Sequence, residues 1–146
     1  MVFDTSPTVR FPIIRTSGMS VKPDYNASAV ASLRTINLEA GMPTVEEARR
    51  RLIQELKSAR AAGVIAVKLI HGYGSSGTGG AMRPAVRKSL LLRRKEGIVD
   101  EIVFGERWDI FEKQTQRILQ LIPELARDKD LQQSNPGITI AVMSKP

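Results

Sequence analysis

The stretch VIAVKLIHGYGSSGTGGAMRPAVRKSLLLRRK, residues 64 to 95, decides the fold. Val64 to Ile70 is apolar apart from Lys68 and rich in β-branched side chains, which suits a strand buried on both faces in a parallel pairing. After Gly80 the period changes. Met82, Ala85, Val86, Ser89 and Leu92 recur at helical steps, while Arg83, Arg87, Lys88, Arg94 and Lys95 lie on the other face. Pro84 lacks an N–H and restricts the residue before it, so the spacing predicts a helix start between Gly80 and Pro84. Between strand and helix runs His71 to Gly80, in which five of ten residues are glycine.

Working upstream, Leu33 to Leu38 reads as a short strand with Ile36 and Leu38 on one face. Thr44, Val45, Glu46 and Glu47 form a capping box, and Val45, Ala48, Leu52, Leu56 and Ala59 make the apolar stripe of the helix it opens; Gly63 closes it. A βαβ unit results. Downstream, Ile98 to Phe104 reads as a third strand interrupted by Asp100 and Glu101. Trp108 to Leu121 reads as a third helix with Phe111, Thr115, Ile118, Leu119 and Ile122 on its stripe, ended or kinked by Pro123. Large aromatics are mostly buried, so Trp108 is expected in the core. Asn135, Pro136 and Gly137 make a turn, and Ile138 to Met143 is the last strand. The sum is an α/β domain over residues 32–146, with an extra helix at about 108–127. Residues 1–31, with prolines at 7, 12 and 23, read as a partly flexible arm. Val9 to Ile14 is apolar enough to dock on the domain or on a second copy.

A chain of 146 residues with 42% hydrophobic and 25% charged residues fits one globular domain. The absence of cysteine excludes disulfides, thiolate zinc sites, iron–sulfur clusters and cysteine nucleophiles, and the lone His71 excludes a two-histidine metal site within the chain. The longest apolar run, Ala61 to Val67, falls far short of the ~20 residues that span a bilayer. With no secretory apolar region at the N-terminus either, the expectation is a cytoplasmic protein without a membrane partner. A net charge of +7 favours polyanion partners.

Glycines let backbone N–H groups converge, and a following helix start favours negative charge, so Gly72, Tyr73, Gly74, Ser75, Ser76, Gly77, Thr78 and Gly79 are candidates for holding a phosphate. The alternative is a plain surface loop. Gly72, Gly74 and Gly77 formally satisfy GxGxxG, but Pro84 delays the helix, and Asp100 and Glu101 fall inside a strand rather than at its end; a Walker loop fails for want of Gly-Lys-Ser/Thr. His71, at the end of a central strand, is either a capping and packing residue or a group that donates to phosphate and moves a proton. Residues 81–95 hold six basic side chains and no acidic ones; Arg83, Arg87 and Lys88 are the nearest to the loop. They either grip a phosphodiester or form a solvated face. Tyr73 could stack on a base.

These elements resemble the Smr, or small MutS-related, domain family. That family has a strand carrying an LDLHG-like motif, a helix opening T-V-E-E-A, a strand ending in HGxG, a glycine-rich loop and a helix opening L-R. Here INLEAGMPTVEEA occupies residues 36–48, IHGYGSSGTGG occupies 70–80, and Met82-Arg83 stands at the L-R place. The resemblance implies a two-layer βαβαβ(α)β sandwich with a four-stranded mixed sheet, like the C-terminal domain of translation initiation factor three. It also implies binding of DNA or RNA and, in many members, endonuclease (nicking) activity. His71, Gly72 and Gly74 carry over from HGxG, and Arg83 from L-R. Asn37 stands where the family has Asp, Glu39 where it has His, and one extra residue follows before the helix cap. A carboxylate repels phosphodiester unless a cation intervenes. Glu39 could act as general base with His71 as acid, it could help hold Mg²⁺, or hydrolysis is weakened while binding persists; the last is the expectation. Two other classes stand beside this one: a small-molecule phosphate or nucleotide pocket in the same loop, and a non-catalytic interaction module that forms a homo-oligomer through the arm or third helix.

Overall fold

The computed structural model describes residues 31–72 and 79–145, and the expectations for the arm lie outside them. The first helix starts where its capping box sits. The Glu47 N–H donates to the Thr44 hydroxyl at 3.1 Å and the Thr44 N–H donates to the Glu47 carboxylate at 2.8 Å, so two otherwise unpaired amides are satisfied. Helix α1, Val45–Ala61, buries Ala48, Leu52, Leu56 and Ala59 as its stripe requires. It links strand β1, Leu33–Asn37, to strand β2, Ala66–Ile70, and the two strands pair in parallel.

Helix α2 runs from Gly79 to Lys95, so it begins just before the predicted window and Pro84 lies in its second turn. Proline there forgoes only the N–H that would reach the Gly80 carbonyl, and both residues are exposed, so water can serve that carbonyl. The buried face of α2 comprises Met82, Val86, Ser89 and Leu90; Leu92, expected there, is exposed. Steps of four from Met82 reach Leu90, and a residue two further on points to the opposite side.

Strand β3, Val99–Phe104, and strand β4, Ile138–Met143, complete a four-stranded mixed sheet of order β1-β2-β4-β3. The last strand is thus inserted antiparallel between β2 and β3. The acidic interruption in β3 is a register shift between Val99 and Glu101 that leaves Asp100 without a ladder partner. Strand alternation splits the core in two. Val67, Leu69, Ala141 and Met143 meet α1 and α2 on one face of the sheet. Ala66, Ile138, Ile140 and Val142 meet Trp108, Ile118, Ile122 and Leu125 on the other.

The third helix, α3, spans Lys113–Leu121, shorter than the predicted 108–127, and residues Pro123–Arg127 form a 3-10 turn. Side chains supply the reason. The Asp109 carboxylate accepts from the Phe111 N–H at 2.8 Å, and the Thr115 hydroxyl accepts from the Asp109 N–H at 3.3 Å and donates to the Arg107 carbonyl at 3.0 Å. These local bonds replace helical ones over residues 108–112. Trp108 is buried as expected, whereas Phe111, expected on the stripe, is 83% exposed. Among the described residues no helix is long and apolar enough to cross a membrane.

Candidate nucleic-acid interface

β2 ends against the turn that precedes β4. The Asn135 carboxamide oxygen accepts from the Gly137 N–H at 2.8 Å and shapes the turn. The Gly137 carbonyl then accepts from both the His71 N–H, at 2.9 Å, and the Gly72 N–H, at 3.0 Å. Alternation along β2 puts the His71 ring on the same face as Val67 and Leu69, beneath α2. There it is fully buried. Its Nδ1 lies 2.8 Å from the Gly72 carbonyl, which can only accept, so Nδ1 carries the proton. Nε2 then accepts from the Thr139 hydroxyl at 2.9 Å. Burial pushes the His71 pKa below its ordinary value; the bond to the Gly72 carbonyl opposes this, and the positive charges of Arg87 and Arg83 reinforce it. The imidazole is therefore neutral near pH 7, with both nitrogens occupied.

Glu39 lies in the turn after β1. Its N–H donates to the Asn37 side-chain oxygen at 2.9 Å, a bond an aspartate would accept equally. The Ala40 carbonyl accepts from Arg51 at 3.0 Å, tying the turn to α1. The exposed Glu39 carboxylate comes to rest where a Cβ on residue 72 would be. Gly72 has φ +75°, which favours glycine there, whereas the exposed Glu39 carboxylate could swing aside. The structure thus brings Glu39 to the backbone of Gly72, but the ring nitrogens of His71 are held by Gly72 and Thr139 instead.

Arg83 and Arg87 are one turn apart on α2, and the charges of both act on His71 and on Glu106. The Arg87 guanidinium lies 4.2 Å from the centre of the Phe104 ring and donates to the Glu106 carboxylate. Arg87 is therefore half-buried and paired rather than reaching into solvent, while Lys88 is exposed and Arg83 makes no ion pair among the described residues. Gly79 opens α2; Tyr73, Gly74, Ser75, Ser76, Gly77 and Thr78 lie outside the described residues.

Two groups near the site escape a reading of the sequence alone. Glu106 follows Gly105, whose Cα is pressed so closely on the Asn135 carbonyl that a Cβ has no room; this fixes where the turn Gly105–Arg107 begins. Its position at the end of β3, level with the end of β2, is the signal that was available. Lys68 is buried on the opposite face from His71, with Nζ at 2.6 Å from both Asp128 and Asp130. Asp130 in turn accepts from Asn135 at 3.0 Å, so this network braces the turn that carries Gly137. An unpaired lysine inside an apolar run was the hint. Among the described residues no group of three His, Asp or Glu side chains is gathered to hold a metal ion.

The model of the Smr domain family matches residues 40–107. The crystal structure of the Smr domain of Thermus thermophilus MutS2 aligns at a TM-score of 0.48 and 23% identity, over 77% of this chain and 99% of that one. No curated protein matches the sequence.

Proposed function

We propose that this chain is a member of the Smr domain family, whose model matches residues 40–107, and that it binds DNA or RNA through the His71–Gly72 end of β2 and the Arg83–Arg87 face of α2, with hydrolysis weak or absent. The observation that carries the reading is the placement of Arg83 and Arg87 one turn apart on α2, with the Arg87 guanidinium over the Phe104 ring at the end of β3. Guanidinium groups so placed suit phosphodiester oxygens. His71 acts by position: its ring ties the Gly72 carbonyl to Thr139 and sets the direction in which the chain leaves β2. A neutral imidazole whose one N–H is already donated to the Gly72 carbonyl is a poor proton donor to a leaving oxygen, and Glu39 brings a negative charge to a place where the family has a histidine.

The test is a gel-shift and cleavage panel on DNA and RNA, with and without Mg²⁺, for the wild type, Arg83→Ala and His71→Ala. Arg83→Ala should weaken binding on every sequence and flatten the salt slope by about 0.7 to 0.9, the value of one phosphate contact. Affinity that is flat from low to high salt overturns the binding reading. Cleavage that disappears in His71→Ala and Glu39→Ala variants overturns the view that hydrolysis is weak.

A further inference from the structure

We propose that Glu106 is an internal competitor for nucleic-acid phosphate: its carboxylate occupies Arg87 in the free domain, phosphodiester displaces it, and residue 106 thereby sets the affinity of the interface. This rests on the nucleic-acid reading above. Arg87 is held from two sides, by the Phe104 ring at 4.2 Å and by the Glu106 carboxylate. The side chains differ in openness, 21% exposed for Arg87 against 45% for Glu106. The arginine is therefore the fixed partner, and the carboxylate is the one free to swing into water. The carboxyl of Glu106 is held below its usual range; burial opposes this, but the hydrogen bond from Arg87 and the charges of Arg87 and Arg83 prevail. An anion thus already sits in the field of both guanidinium groups, where a phosphate oxygen would be received.

The location agrees. Phe104 pairs with Thr139 across the sheet, and the Thr139 hydroxyl holds His71. Glu106 is two residues beyond Phe104, at the end of the sheet where the glycine-rich segment departs.

Binding of the full chain to fluorescein-labelled oligo-dT and oligo-U is measured by anisotropy across a salt series, with thermal melting to confirm that each variant is folded. Glu106→Gln should tighten binding about two- to fivefold, the range set by release of a half-exposed ion pair. The salt slope should stay close to the wild-type value, because phosphodiester meets Arg87 in both proteins once Glu106 is displaced. In an Arg87→Met background the gain should vanish, as coupling through one arginine requires. Glu96→Gln, which removes a carboxylate paired to Arg93 on the far side of α2's end, controls for net charge and should leave affinity unchanged. Should Glu106→Gln fail to fold, Glu106→Asp draws the charge back from Arg87 and carries the same expectation in smaller measure. A wild type that binds while Glu106→Gln binds equally or more weakly overturns the competition, as does a gain that survives in the Arg87→Met background. A wild type that binds neither oligonucleotide overturns the nucleic-acid reading, and the competition with it.

Discussion

Replacing Lys68 by methionine keeps the length of the side chain but strands two carboxylates on the buried face of the sheet. The ammonium sits 2.6 Å from Asp128 and 2.6 Å from Asp130, and the three side chains are only 5%, 10% and 12% exposed. Removing one partner from a buried charged network costs about 3–5 kcal/mol, because the remaining charges lose their compensation. Small domains have only about 5–15 kcal/mol in total, so Lys68→Met should move the urea midpoint sharply. Trp108 is a built-in reporter, since its indole N–H donates to Asp128 at 3.0 Å. The pH dependence gives a second, independent reading. In the wild type, burial draws Lys68 down but its bonds to Asp128 and Asp130 outweigh this and hold it above 10.5. Burial raises Asp130, yet Lys68 and Asn135 hold it below 3.8. The network therefore contributes fully between those values. Its contribution is lost as pH falls through the lowered Asp130 pKa or rises through the raised Lys68 pKa. In Lys68→Met the Asp130 carboxyl loses the partner that lowers its pKa while burial still raises it, so it takes up a proton more readily and the gap between variant and wild type should narrow as pH falls from 7 towards 4. A loss under about 1 kcal/mol, the size of an exposed ion pair, or a gap indifferent to pH, would refute the argument.

His71 is the only histidine, so an NMR titration of its ring is unambiguous; the midpoint should lie below 6.5, with the Nδ1–H tautomer above it. The stability it contributes is complete above 6.5 and is lost as pH falls through the lowered value. Gly105→Ala should destabilise by about 1–3 kcal/mol in urea titrations, because its methyl would be driven onto backbone oxygens of Asn135 and Ile138 that cannot move singly. Gly72→Ala should cost about 1–2 kcal/mol from left-handed backbone strain. A second change, Glu39→Ala, clears the space beside residue 72 but leaves the torsion, so it should recover less than half of the loss in the same titration.

The parts of the fold written in short-range chemistry were legible before any coordinates. The Thr44–Glu47 box, the alternation of Ile138 to Met143 and the acidic break in β3 all act within a few residues, and each appears where its pattern puts it. Boundaries set by competing local bonds were not. Asp109 and Thr115 capture the backbone of residues 108–112, and periodicity alone carries no sign of that. The site divides in the same way. The placement of His71 at the end of a central strand follows from the apolar run before it. Its burial depends on Thr139, sixty-eight residues later. Arg87 looked like a free cation because Glu106 and Phe104, which engage it, belong to another strand's end. The counter-ions of Lys68 lie sixty and sixty-two residues away, at Asp128 and Asp130, beyond the reach of any local pattern.

The misfit at Asp100 matters for the protein in a crowded solution. Among the described residues β3 pairs only with β4, and a ladder with one residue out of step gives a chain approaching its other flank no continuous template to copy. The exposed carboxylate of Asp100 adds a charge that an incoming strand would have to accommodate. Stacking into fibrils along that border is disfavoured by the same irregularity that interrupts the pattern of the strand.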